Sequence, residues 1–232
     1  MDITIDATDD GGSGVASVTY VLDGSQPIVV DGDSTTLRLT QEGARTVTYW
    51  ATDRAGNESG HRQLPVRIDS LAPGLDIAVA DGAQVPAGAT INTVLTCNDA
   101  GSGIATCHGP SRLDTTTPGT RTATFTATDI AGNATTHTIT YRVLSAAELL
   151  DRLRAELDAI GLSHSRSAEL RAHVDGARRA VARGDSVAAC DHVVDFDAAA
   201  GRAVQRRWLT TGQVAGLLDT SRDAQLALRC PT

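Results

Sequence analysis

TVTYWATDRAGN at 46–57 and TATFTATDIAGN at 122–133 are the same sentence written twice. Each follows a Gly-rich partner, DDGGSGVAS at 9–17 and DAGSGIAT at 99–106. A repeat of this length and composition, rich in short alternating runs and Gly/Asp/Asn turns, predicts tandem antiparallel β-sandwiches of the immunoglobulin-like kind. Ala123, Phe125 and Ala127 alternate with threonines, and Ile139, Tyr141 and Val143 alternate with polar residues. Side chains of successive strand residues point to opposite faces, so these runs are half-buried strands.

Working outward, the first repeat reads as strands ITIDAT (3–8), VASVTYVLD (15–23), PIVVD (27–31), TTLRLT (35–40), ARTVTYWAT (44–52) and RQLPVRI (62–68). A linker, IDSLAPG (68–74), is broken by Pro73 and Gly74. The second repeat has LDIAVA (75–80), a turn at Asp81-Gly82, then INTVLTC (91–97), IATCHG (104–109), RTATFTAT (121–128) and ATTHTITYRV (134–143). Aligned on the shared sentence, 1–70 begins at the equivalent of 91–97 and has no counterpart of the 75–80 strand. With no signal-peptide pattern before DITIDATDD, the expectation is the C-terminal piece of a longer polypeptide, with a first sandwich less stable than the second.

From Ser145 the period changes from 2 to 3.6. Ser145 and Glu148 form a capping box, followed by an apolar stripe of Leu149, Leu150, Leu153, Leu157 and Ile160. Further amphipathic runs near 165–183, from Asp185, and from Thr210 with Gln213 as a second capping box predict a small antiparallel four-helix bundle. The fold expected is therefore β plus α in three domains: a truncated sandwich at 1–70, a second at 71–144, and a helical bundle at 145–232.

Composition narrows the partners. Residues 1–144 carry 16 acidic residues and 8 arginines, net −8, and residues 145–232 carry 12 of each, net 0. An acidic β half argues against nucleic acid or an anionic membrane as partner, and no apolar run is long enough to insert in a bilayer. All 20 basic residues are arginine, a bias of GC-rich genomes such as those of actinobacteria. Cys97, Cys107, Cys190 and Cys230 allow three pairings. Domain-local pairing gives 97–107 and 190–230, contributing roughly 3 and 4 kcal/mol by loop-closure entropy. Neither pair has zinc-finger spacing, and disulfides place the protein outside the reducing cytoplasm, extracellular or at the cell surface.

The β half is similar to bacterial Ig-like and hyalin-repeat-like modules, on TYWATDRAGNES with IDSLAP and on CNDAGSGIATC with FTATDIAGNATTHTITYRV. The tail resembles the FIMAH domain, on LRAHVDGARRAVARGD (170–185), AACDHVVDFDAAAGRAV (188–204) and LTTGQVAGLL (209–218). Cys190, Phe196 and Leu209-Thr210-Gln213 match that pattern. Asp197-Ala198 stands where it has Ile-Asn. Both families decorate secreted bacterial enzymes, so the resemblance implies a non-catalytic accessory or spacer region joined to an upstream catalytic domain, a hydrolase. The alternatives are a module binding polysaccharide or cell wall, and a surface adhesin fragment.

Three groups are candidates for chemistry. Asp9, Asp10, Asp53, Asn57 and Asp69 in the first repeat, and Asp99, Asp129 and Asn133 in the second, could converge on Ca²⁺, which takes six to eight oxygens. The plainer reading is that they build turns by accepting backbone N–H bonds. Trp50 faces outward opposite Val47, Tyr49 and Ala51, where it could stack on a sugar ring or a neighbouring module. The second repeat has Thr126 there. His164, His173 and His192 lie in the tail without the one-turn spacing of a helical metal pair. No GxSxG or HExxH occurs, and the GSG triplets at 12–14 and 101–103 read as turns. The chain is read as not an enzyme.

Overall fold

The computed structural model describes residues 1–231. The described residues form β1(Asp2–Asp6), β2(Val15–Leu22), β3(Ile28–Asp31), β4(Ser34–Arg38), β5(Gly43–Asp53), β6(Arg62–Ile68), β7(Gly74–Ile77), β8(Ala83–Pro86), β9(Leu95–Asn98), β10(Ile104–His108), β11(Gly119–Asp129) and β12(Ala134–Leu144). The helices α1(Ala146–Ala159), α2(His164–Ala182), α3(Ser186–Gln205) and α4(Thr211–Leu228) follow. This is the mixed β and α architecture that the change of period predicts.

The chain divides into two compact units: Met1–Asp76 with Thr96–His108 and Thr126–Thr136, and Ile77–Leu95 with Gly109–Phe125 and His137–Thr232. In the first, β1 and β4 form one two-stranded sheet and β3-β2-β5-β6 form the facing four-stranded sheet. β1 and β4 meet antiparallel, Ile3 opposite Leu37. Ile3, Ile5, Val18, Leu37, Leu39, Val47 and Val66 close the core between them. Alternate residues of β1, β2, β5 and β6 supply it, as a half-buried sheet requires, while β3 adds none. With no Phe or Trp in that cluster, each side chain adds only the roughly 1.5–3 kcal/mol of a buried aliphatic group, so the core is small. The same unit holds the Cys97–Cys107 disulfide.

In the second unit β8 runs parallel to β12, Val85 opposite Val143. The buried side chains include Val85, Leu113, Phe125, Ile139, Tyr141 and Val143. The Tyr141 hydroxyl donates to the Asp114 carbonyl and accepts from the Asp114 N–H, both at 3.1 Å. β8 has no counterpart in the strand reading of the sequence. Its four residues end at Pro86, too short for alternation to register, and only its pairing with β12 makes it a strand.

The helices pack around two clusters. Leu153, Leu157, Leu170, Phe196 and Leu217 centre one, and Leu144, Leu149, Leu150, Ala177 and Val193 the other. Both capping boxes form, at Ser145–Glu148 and Thr210–Gln213, and Asp185 caps α3. Gly184, at φ 74°, ends α2 in the left-handed region that glycine enters without steric cost. Cys190, buried in α3, is bonded to Cys230 just beyond α4. No helix among the described residues is long and apolar enough to cross a membrane.

Candidate functional site

The two copies of the sentence fold alike. Asp53 accepts from the N–H groups of Ala55 and Asn57 and from Asn57 Nδ2, each at 2.8 Å. Asp129 accepts from the Asn133 N–H at 2.8 Å and from Asn133 Nδ2 at 2.7 Å. Upstream, Asp9 accepts from the N–H groups of Gly11 and Gly14 and from Ser13, and Asp99 from the Gly103 N–H. An aspartate that takes several N–H bonds in a tight loop is held anionic. The Gly11 N–H foremost lowers Asp9 below the usual carboxylate range. The Asn57 side chain foremost does the same at Asp53. Carboxyls held down in this way do not supply a proton near neutral pH, so Asp9 and Asp53 are not arranged as general acids. Asp10 is exposed beside Asp9.

What separates the copies is the linker. Carboxylate oxygens of Asp69, Asp99 and Asp129 lie within 4.8 Å of one another. Asp69 accepts from the Ser102 N–H at 2.7 Å and the Leu71 N–H at 3.1 Å. The Ser102 side chain is the main cause lowering its pKa. Asn133 Nδ2 also donates to the carbonyls of Asp69 and Leu71, and Thr135 Oγ1 to that of Pro73. The linker is thereby pinned across the loops at 99–103 and 129–133, and Asp129 is only 2% exposed. Gly101 permits this: a Cβ there would collide with the Asp69 carboxylate. The sequence groups Asp69 with the first repeat. The structure puts it with Asp99, Asp129 and Asn133, whereas Asp9, Asp10, Asp53 and Asn57 stay apart in the first sandwich. Oxygens spaced this way fit around one Ca²⁺ at 2.3–2.6 Å from each, and three of the six to eight ligands would come from these carboxylates.

Trp50 is half-buried, its ring stacked on His61 at 4.0 Å and 9°. One face of the indole is therefore already covered. Both residues line a cleft of about 490 Å³ together with Ile5, Thr8 and Tyr49, which the sequence did not announce because its walls come from strands distant in the chain. In the helical tail, His173 of α2 and His192 of α3 approach to 6.2 Å between ring centroids, and His173 Nδ1 lies 3.9 Å from Asp195. Spacing along one helix could not show this pair because it forms across two. Trp208 packs on the bundle core with Arg206 over its ring at 4.9 Å.

No family profile matches the chain, and no curated protein matches it. Among solved structures it is similar to the fibronectin(III)-like modules of CbhA from Clostridium thermocellum. The identity is 15% and the TM-score 0.32, over 61% of this chain and 85% of that one. It is also similar to SGBP-B of the Bacteroides ovatus mixed-linkage glucan utilization locus, solved in complex with a mixed-linkage heptasaccharide. There the identity is 16% and the TM-score 0.26, over 63% of this chain and 41% of that one.

Proposed function

We propose that the chain is a non-catalytic accessory region of a secreted bacterial protein, a stiff spacer carrying an upstream catalytic domain, a hydrolase. The observation that carries this reading is the pinned linker. Five hydrogen bonds, donated by Leu71, Ser102, Asn133 and Thr135, order residues 69–73, where a flexible tether would leave backbone groups to water. Two disulfides suit a place outside the cytoplasm. Calcium at Asp69, Asp99 and Asp129 would offset two of the three negative charges and stiffen the same joint.

Amide ¹⁵N relaxation tests the spacer. Residues 69–73 should have order parameters near 0.85, like the strands, and Asn133→Ala should lower them. Values below about 0.6 in the native protein would mark a flexible tether and refute the reading. Calorimetric titration with Ca²⁺ after EDTA treatment tests the ion: a saturable heat lost in Asp99→Asn supports it, and none rejects it. Retention on polysaccharide or cell-wall preparations, abolished by Trp50→Ala, would replace the spacer with a binding module.

A further inference from the structure

The first sandwich has two open edges that face one another. Among the described residues β1 pairs only with β4, and β6 only with β5. In the second repeat β12, the counterpart of β6, carries β8 beside β11, and the 91–98 run meets residues 111–113 at one end and β7 along β9. The correspondence is set by the turn aspartates. Asp9 and Asp99 accept from the N–H groups of Gly14 and Gly103, both at 2.7 Å, so Ile5–Thr8 stand where Leu95–Asn98 stand. Those are the residues against which β7 lies.

The 490 Å³ cleft is lined on one wall by the counterparts of that strand, Ile5, Asp6, Ala7 and Thr8, and on the other by Tyr49 and His61. A second cleft of about 260 Å³ continues it along Ile3 and Thr4 toward Val47 and Leu64, sharing Ile5, Asp6 and Tyr49. Ile3, Ile5, Val18, Val47 and Tyr49 give the clefts apolar patches among polar side chains such as Thr4, Asp6 and Ser59. An edge strand presents unpaired N–H and C=O groups to whatever lies beside it. β6 contains Pro65, which does not block pairing. Counted from the buried residues Val66 and Tyr141, Pro65 corresponds to Thr140, whose N–H goes to the Asp81 side chain and not to β8. Its carbonyl, the group that takes the Gly82 N–H, is kept by proline.

We propose that this groove is an acceptor for an extended polypeptide strand of the β7–β8 pattern, running parallel to β6 and adding to the sheet edge. The occupant has apolar residues at alternate positions, as Leu75 and Ile77 in β7 and Ala83 and Val85 in β8. Backbone bonds to the open edges hold the strand, and its alternate side chains enter the cleft over Ile3, Ile5 and Tyr49. This goes beyond the spacer reading and does not depend on it.

The probe is a synthetic peptide copying Ala72–Gly88, titrated into the full chain carrying Trp208→Phe, which leaves Trp50 in the cleft as the sole indole. A saturable change in Trp50 emission is expected. It should be accompanied by at least about tenfold slower hydrogen exchange at Ile5–Thr8 and Leu64–Ile68, and both effects should vanish for the peptide with L75D and I77D. The same peptide fused by a flexible linker ahead of Met1 acts at millimolar effective concentration and should raise the melting temperature of the first sandwich. Absence of exchange protection in the fusion overturns the proposal. So does an equal response to the L75D/I77D peptide, protection of the same amides by an oligosaccharide, or a concentration-dependent dimer that protects them without peptide.

Discussion

Glu148 stands where the chain turns from strand to helix. Its carboxylate accepts from the Ser145 N–H and hydroxyl, both at 2.8 Å, and pairs with Arg142 of β12. Arg142 foremost, then the Ser145 N–H, lowers its pKa from 4.5 to about 2. A depressed carboxylate contributes stability that is fully present above the unfolded value and lost as pH falls through the folded one. Taken at face value the shift is about 3.4 kcal/mol. The side chain is 37% exposed, so solvent screening reduces this to about 1 kcal/mol. Glu148→Gln keeps a capping-box side chain but removes the charge. At pH 7 it should unfold about 1 kcal/mol more easily in urea, and the gap should shrink to about 0.4 kcal/mol or less by pH 2. Glu148→Ala loses the cap as well and should cost about 1 kcal/mol more at either pH. A gap of equal size at pH 7 and pH 2, or none at pH 7, would show that the charge does not anchor α1 on β12.

Removing the Cys190–Cys230 bond, which spans 40 residues, with Cys190→Ala/Cys230→Ala should lower stability by about 4 kcal/mol. The Cys97→Ala/Cys107→Ala pair, spanning 10 residues, should lose about 3 kcal/mol. Denaturant melts of both variants showing the reverse order would refute the loop-entropy account. Gly109→Ala would drive a methyl into the buried Phe125 ring, an overpacking costing about 1–3 kcal/mol, and a melt indistinguishable from the native protein would contradict it. Gly101→Ala should release Asp69 from the Ser102 turn, seen as faster exchange at the Ser102 amide with the β2 and β5 amides unchanged. Unchanged exchange at Ser102 would mean the loop accommodates the methyl without releasing the linker.

Strands with long alternation were legible because burial on one face leaves a period of two in the sequence. β11 and β12 are the clearest cases, with Phe125 and Ile139 buried as their patterns require. Both capping boxes were legible because they are local, complete within four residues. β8 was not, since its strand character comes from Tyr141–Leu144 some 58 residues downstream in the register. His173 and His192 were read singly because their meeting depends on how α2 crosses α3. Gly176 allows that crossing: a Cβ there would sit 2.7 Å from the His192 ring.

The repeated sentence shows where such reading ends. Asp53 and Asp129 have the same neighbours in sequence except Arg54 against Ile130, and take the same bonds from Asn57 and Asn133. The bonds from the asparagine recur in both, whereas the Ala55 N–H goes to Asp53 and the Ala131 N–H to Ser102. Yet Asp53 faces Asp9 alone, the raising influence of one carboxylate on the other being small beside the N–H bonds, whereas Asp129 is sealed beneath the linker with two further carboxylates. The difference is made by Asp69, whose own flanking residues mark it only as a turn former. A motif thus states which bonds a loop makes to itself, and the segment laid across it decides whether that loop remains a turn or becomes one side of a joint. By the same logic β9 has β7 laid beside it and β12 has β8, where β1 and β6 have no such strand among the described residues.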